Sequence, residues 1–281
     1  MSVRHTMHGM SVVDYRKQTV LITGASAGLG AEFARRLAAR GAGLVLVARR
    51  ADRLAALVAE LSAPGITVTP IAMDLAVPGA GERLSAAVEA AGVTVTSLIN
   101  NAGFGTNQAF HEEDPARVTD EITLNVTSLV GITRAFIDRL RAGDGFLINV
   151  ASIAAYQPNP RMAVYGATKA FVLSFTEALW FESRHTRLRV LAVSPGATET
   201  EFFEVAGQGA DGGTRRMRAD QVVDSALRAL DRRTSRPSVV TGALNRVLTG
   251  ATRLVSRRLL ATVVGTLLER SADARISTRS A

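Results

Sequence analysis

Thr19-Val-Leu-Ile-Thr23-Gly24-Ala-Ser26-Ala-Gly28-Leu29-Gly30 is a short apolar run that leads straight into a glycine turn, and a helical pattern follows through Arg40. Strand, glycine turn and helix in that order are the context a dinucleotide-binding fingerprint needs. Glycines at the turn let the backbone approach a pyrophosphate, and the helix start offers free N–H groups at the positive end of its dipole. Gly24, Ser26, Gly28, Leu29 and Gly30 are therefore the first candidates for cofactor contacts.

Working outward, apolar strand patterns alternate with helical ones. Strands are predicted over residues 43–48, 65–70, 96–100, 145–150, 188–194 and 237–241, and helices over 52–61, 81–91, 117–141, 161–184 and 220–232. Short apolar strands separated by helices of ten or more residues imply right-handed βαβ crossovers. The predicted fold class is α/β, a Rossmann-like doubly wound parallel sheet flanked by helices on both faces, in a single domain over residues 18–242. Residues 1–17 are polar, lack the apolar run of a signal peptide, and are expected to be a flexible N-terminal extension. Residues 201–219 are rich in Gly and Arg without apolar periodicity, and are expected to form a loop that covers the substrate. Residues 243–270 place Leu244, Val247, Leu248, Ala251, Leu254, Val255 and Leu259 opposite Arg246, Arg253, Arg257 and Arg258, the pattern of a basic amphipathic helix. Such a helix can pack on its own core, on a second subunit or on an anionic membrane, giving a peripheral membrane contact. Residues 271–281 read as a disordered tail.

The chain has 281 residues, 47% of them hydrophobic and 21% charged, enough for one large core. No stretch is long and uncharged enough to span a bilayer. Cysteine is absent, which excludes disulfides, thiolate nucleophiles and cysteine metal sites and is compatible with a cytoplasmic protein. The four histidines, His5, His8, His111 and His185, form no ligand spacing, so no metal is expected. The net charge of +8 is spread as Arg along many helices with few aromatics between them, which argues against nucleic acid and for solvated helix faces plus an anionic cofactor.

Tyr165-Gly166-Ala167-Thr168-Lys169 sets a phenol and an ammonium one helical turn apart on the same face. The chain has three tyrosines and only two lysines, Lys17 and Lys169, so chance pairing at this spacing is rare. A fixed positive charge beside a phenol stabilises phenolate and is expected to lower its pKa, making a general acid/base near neutral pH. At the end of the second predicted strand, an acid would bond the ribose hydroxyls of NAD, whereas arginine accommodates a 2′-phosphate. The chain has Arg49 and Arg50 there, which predicts NADP (NADPH) over NAD, with Arg49 the better placed.

These features together resemble the short-chain dehydrogenase/reductase family, from about Thr19 to at least Thr200, in its compact branch with Thr-Gly-x-x-x-Gly-x-Gly at the first turn. The resemblance implies further roles. Asp74-Leu75 falls where the family contacts adenine, and Asn101, Ala102 and Gly103 match the motif that closes the fourth strand against the cofactor. Pro195, Gly196, Thr198 and Thr200 match the segment facing the nicotinamide amide. Asn125, Ser152, Tyr165 and Lys169 match the catalytic set: Ser152 and Tyr165 on the carbonyl oxygen, Lys169 on the nicotinamide ribose, and Asn125 holding a water in a proton relay. The implied activity is an NAD(P)-dependent oxidoreductase interconverting a ketone or aldehyde and an alcohol, on a substrate that the apolar Phe202 and Phe203 suggest is hydrophobic. A non-catalytic cofactor sensor or scaffold, or an isomerase or lyase using the cofactor transiently, is the alternative. Relatives commonly pair through the helices carrying Asn125 and Tyr165, which implies a homodimer or homotetramer.

Overall fold

Seven parallel strands form one sheet in the order β3-β2-β1-β4-β5-β6-β7 in this computed structural model, which describes residues 12–207, 215–232 and 236–266. The strands are β1 (Thr19–Thr23), β2 (Gly43–Ala48), β3 (Val68–Ala72), β4 (Ser97–Asn100), β5 (Phe146–Val150), β6 (Arg189–Ser194) and β7 (Ser238–Val240). The chain winds outward from β1 to β3, returns to β4 beside β1, and then winds the other way. That reversal opens a crevice beyond the carboxyl ends of β1 and β4.

Helices cover both faces, and strand alternation decides which residues meet them. Val20 and Ile22 of β1 face one core with Phe33 and Leu37 of α1 (Gly28–Ala38), Leu54 of α2 (Ala51–Leu61), and Val223 and Leu227 of α8 (Ala219–Leu230). Leu21, between them, faces the other core with Leu84 of α3 (Ala80–Ala90) and Phe136 of α5 (Leu129–Ala142). On that second face α6 (Ala163–Glu182) packs against β5 and β6, while α4 (Pro115–Ile122), α7 (Phe202–Ala206) and α9 (Ala243–Ala251) stand around the carboxyl end of the sheet, with a further helix over residues 257–266. Among the described residues, none of these helices is long and apolar enough to cross a membrane.

Five expectations are corrected. The third strand lies at Val68–Ala72 rather than 65–70, because Gly65 has φ +84° and belongs to the turn before it. Pro70 is tolerated there because β3 is an edge strand, paired only with β2. The helix predicted over 117–141 is interrupted by a π-helical segment, Thr123–Ser128, between α4 and α5, with Asn125 buried in it. Wide turns of this kind relax the ladder where a side chain must reach inward.

At the N-terminus, residues 12–17 are not loose: Val13 and Tyr15 are buried, and the Tyr15 hydroxyl donates to Asp231 at 2.7 Å. The rest of the expected extension and the tail 271–281 lie outside the described residues. The 201–219 loop contains α7, and Met217 is tied back by backbone bonds from Glu199 and to Ala197. Residues 208–214 of it are outside the described residues. Finally, the single amphipathic helix expected over 243–270 is broken. After α9 comes a 3-10 turn, Thr252–Leu254, and then the separate helix 257–266.

Candidate active site

The turn from β1 into α1 is built as the glycines require. Gly24 and Gly28 adopt φ of +65° and +54°, conformations that cost other residues ~1–2 kcal/mol. A Cβ on Gly24 would lie 2.9 Å from Ala102 Cα, so the turn presses against the segment after β4. Asn101 fastens that contact, its amide donating to the carbonyls of Thr23 and Gly24 at 3.0 and 3.2 Å. The Thr23 hydroxyl accepts from the backbone N–H groups of Asn101 and Ala102, both at 3.0 Å. No side chain caps α1, which leaves the N–H groups of its first turn to a ligand. That is an anion site of the kind a pyrophosphate fills.

One cleft of about 880 Å³ runs from this turn to the carboxyl end of β5. Gly24, Ser26, Gly28 and Leu29 line one end, with Arg49 and Arg50 at its mouth and Asp74 and Leu75 on the flank. Ala102 and Gly103 lie along its floor, and Ser152, Tyr165 and Lys169 stand at the far end beneath Pro195, Gly196, Thr198 and Thr200. Asn101 also lines the cleft; Gly30 and Asn125 do not. Gly30 instead allows α1 to approach the Gly24 carbonyl too closely for any side chain. The bare turn, the open helix start and the paired arginines fit NADP. Arg50 donates to Ser26 Oγ from Nε and Nη2, at 3.3 and 3.1 Å, and pairs with Glu201 at 2.8 Å. Arg53 also pairs with Glu201. Arg49 is exposed and has no such partner among the described residues.

Tyr165 and Lys169 do emerge on one face of α6, and Lys169 is buried at 5% exposure. The Ser152 side chain, just past the end of β5, accepts from Ala154 N at 3.1 Å and lies near enough to the Tyr165 phenol to favour its ionised form. The electrostatics differ from the sequence expectation. Burial pushes the Tyr165 phenol up to about 12, with Ser152 pulling it down and the Glu121 charge adding to the rise. Burial likewise pushes the Lys169 amine down to about 8, against a smaller opposing effect of Glu121. Lys169 Nζ donates to the Val150 carbonyl at 2.8 Å and lies 5.7 Å from the centre of the Tyr165 ring. Desolvation therefore dominates both groups. At neutral pH the phenol is protonated, the form that donates.

Asn125 is 1% exposed, and both ends of its amide are engaged with protein. Oδ1 accepts from Phe104 N at 3.1 Å, while Nδ2 donates to Phe104 O at 2.8 Å and to Thr168 Oγ1 at 3.1 Å. It thus fastens the loop of residues 103–108 to α6. Gly103 and Gly105 let that loop sit close. A Cβ at the first would lie 2.8 Å from Asn125 Oδ1, and at the second 2.7 Å from Tyr165 Cδ2.

Three contributors were not visible in the sequence. Met162 and Asn245 line the catalytic end of the cleft, and Asn245 packs against Gly196 from a helix that no local motif links to it. Glu121 is buried beside the catalytic residues; its place four residues before Asn125, on the same helix face, was the available signal. The apolar wall beyond Tyr165 comes from Phe202 and Phe203 of α7 and from Leu248, Leu260 and Val263 of the C-terminal helices. Phe202 lies 5.2 Å from the Tyr165 ring.

A family model described as short chain dehydrogenase matches residues 18–210. The sulfoacetaldehyde reductase of Chromohalobacter salexigens is 40% identical over 186 residues, 65% of this chain and 73% of that protein. Among solved structures, a short-chain dehydrogenase from Sphingobium yanoikuyae in complex with NADPH superposes with a TM-score of 0.74 at 36% identity, covering 84% of this chain and 94% of that one. A 7β-hydroxysteroid dehydrogenase superposes with a TM-score of 0.79 at 25% identity, covering 90% of this chain and all (100%) of the other.

Proposed function

The chain belongs to the short-chain dehydrogenase family of NAD(P)-binding oxidoreductases, and from that premise we propose that it is an NADP-dependent reductase of a carbonyl group on a hydrophobic substrate. The observation that carries this reading is the convergence of Ser152, Tyr165 and Lys169 at one end of a cleft whose other end is the glycine turn flanked by Arg49 and Arg50. When bound, the nicotinamide cofactor supplies the hydride. Ser152 holds the substrate oxygen by a hydrogen bond, and Tyr165 gives it the proton that balances the arriving charge. A phenol kept fully protonated at neutral pH suits the reductive direction. Lys169, tethered to Val150, is positioned for the cofactor ribose, and its positive charge stabilises the phenolate left when Tyr165 gives up its proton.

NADP over NAD is supported by Arg49 and Arg50 at the strand end and by the NADPH-bound relative. The apolar wall of Phe202, Phe203, Leu248, Leu260 and Val263 supports a bulky, weakly polar ketone, as does the likeness to a hydroxysteroid dehydrogenase. The C-terminal segment serves this wall with its inner side. Its exposed Leu244, Val247 and Leu254 are what favours a peripheral membrane contact as an additional role. Exposed Phe171 and Phe181 on α6 support pairing of two copies along that helix, and the cofactor, an intracellular solute, supports a cytoplasmic location.

The test is oxidation of NADPH, followed at the nicotinamide absorbance, against a panel of ketones running from small and anionic to large and apolar. Tyr165→Phe is expected to lower kcat by about 10²–10⁴-fold while NADPH binding survives. Retained turnover in that variant would remove the mechanism.

A further inference from the structure

Glu121 is the one acid that the structure buries completely, at 0% exposure, and its Oε1 has no hydrogen-bond partner among the described residues. It occupies the last turn of α4, immediately before the π-helical segment that carries Asn125. Its Oε2 is 3.1 Å from the Thr106 hydroxyl, and that hydroxyl is also 2.7 Å from Glu113 Oε1. A threonine hydroxyl has a single hydrogen and can serve only one of two carboxylates. The second contact is a bond only if one of the carboxyl groups carries a proton. Glu113 is partly exposed and water stabilises its charge; Glu121 is enclosed, and ionisation there has to overcome desolvation. The arrangement that makes both contacts hydrogen bonds is a chain in which the Glu121 O–H donates to Thr106 Oγ1 and the Thr106 O–H donates to Glu113.

Thr106 belongs to the loop that crosses the catalytic tyrosine. The same loop is tied by Asn125 at Phe104, and by the bond from Gln108 N to the Arg161 carbonyl at 2.8 Å. We propose that Glu121 is a positioning residue which, as the neutral acid and through Thr106, fastens the 103–108 loop across Tyr165. This rests on the reductase reading given above. The charged and titratable groups facing Glu121 are Glu113 before α4, Arg117 one turn earlier on α4, and Tyr165 and Lys169 across on α6. Burial favours the protonated acid most and Glu113 adds to it; hydrogen bonding from Thr106 opposes them, and Arg117 does so more weakly. Loss of the proton leaves the single Thr106 hydrogen to be divided between two carboxylates, which loosens the chain, and places a negative charge beside the phenol, which makes Tyr165 a poorer donor.

The experiment uses the full chain and the variants Glu121→Gln, Glu121→Ala and Thr106→Val. Infrared titration over roughly pH 5–9 reads the proton directly. A protonated-carboxyl band that is lost with a midpoint near neutral pH in the wild type, and is absent from Glu121→Gln, is the expected result. Hydrogen exchange reads the loop: amides of 103–108 are expected to exchange about tenfold faster in Glu121→Ala and Thr106→Val and at the wild-type rate in Glu121→Gln, whose amide can still donate to Thr106. With an active ketone, wild-type kcat should fall on the alkaline side with the infrared midpoint. Glu121→Gln should restore activity lost in Glu121→Ala and show no fall at that midpoint, keeping only the later one expected from Lys169.

An infrared band unchanged in Glu121→Gln, loop exchange indifferent to Glu121→Ala and Thr106→Val, or an alkaline fall at the infrared midpoint that persists in Glu121→Gln would each overturn the proposal. If no ketone is reduced, the reductase reading fails, while the infrared and exchange results still decide the state and the anchoring role of Glu121. If Glu121→Ala does not fold, Thr106→Val carries the same loop comparison.

Discussion

Glu121 also makes a claim on stability. Its carboxyl, which ionises near 4.5 in the unfolded chain, is held up to about 7 in the folded protein, chiefly by burial and to a lesser degree by Glu113. Between those two values the folded state binds a proton that the unfolded state has released. Stability attributable to this group is therefore greatest in acid, declines as pH rises from about 4.5 through about 7, and levels off above. At about 1.4 kcal/mol per unit, the full decline is about 3 kcal/mol, an upper limit because the loop can relax and admit water once the charge forms. Glutamine at this position cannot ionise. The difference in unfolding free energy, Glu121→Gln minus wild type, should therefore rise by about 2–3 kcal/mol between acid and pH 8.5. For a domain of this size that corresponds to a relative gain of roughly 4–12 °C in Tm. Urea unfolding of both proteins at matched ionic strength measures it, and the other acids cancel in the difference. A difference that is flat with pH, or that falls as pH rises, refutes the assignment of the proton to this carboxyl.

Three further substitutions examine the cofactor half of the cleft. Arg49→Ala and Arg50→Ala are each expected to weaken NADPH binding by about 10–100-fold with little effect on NADH, measured by titration of cofactor fluorescence. Equal losses for both cofactors would mean that the arginines do not meet a 2′-phosphate. Gly24→Ala forces a side chain into φ +65° and to 2.9 Å from Ala102 Cα, so a loss of about 1–3 kcal/mol in stability and of measurable NADPH binding is expected from urea unfolding and the same titration. Normal NADPH affinity in that variant would place the pyrophosphate elsewhere.

Local chemistry explains what the sequence alone determined. Thr19–Thr23, Gly24, Gly28 and Gly30 announce a strand, a turn of left-handed backbone and a helix start, because each requirement acts within a few residues. The Tyr165 and Lys169 pair is legible for the same reason, since helical spacing alone puts both on one face. Alternation of strand and helix was enough to foresee a parallel sheet wound in both directions.

Burial and long-range approach decided the rest. Whether Tyr165 is made more or less acidic turns on how much water the surrounding loops exclude, and the sequence reading, which counted only the neighbouring amine, had the sign reversed. The two-part C-terminal segment takes its shape from the cleft it lines, a surface assembled from α7 and the loops after β4 and β5, so its amphipathic pattern alone suggested a single helix. Asn245 meets Gly196 and Glu121 meets Thr106 only when separate elements pack. A carboxyl on a polar helix looks solvated until the fold closes over it, because desolvation belongs to the surroundings of a residue and is not encoded in its spacing.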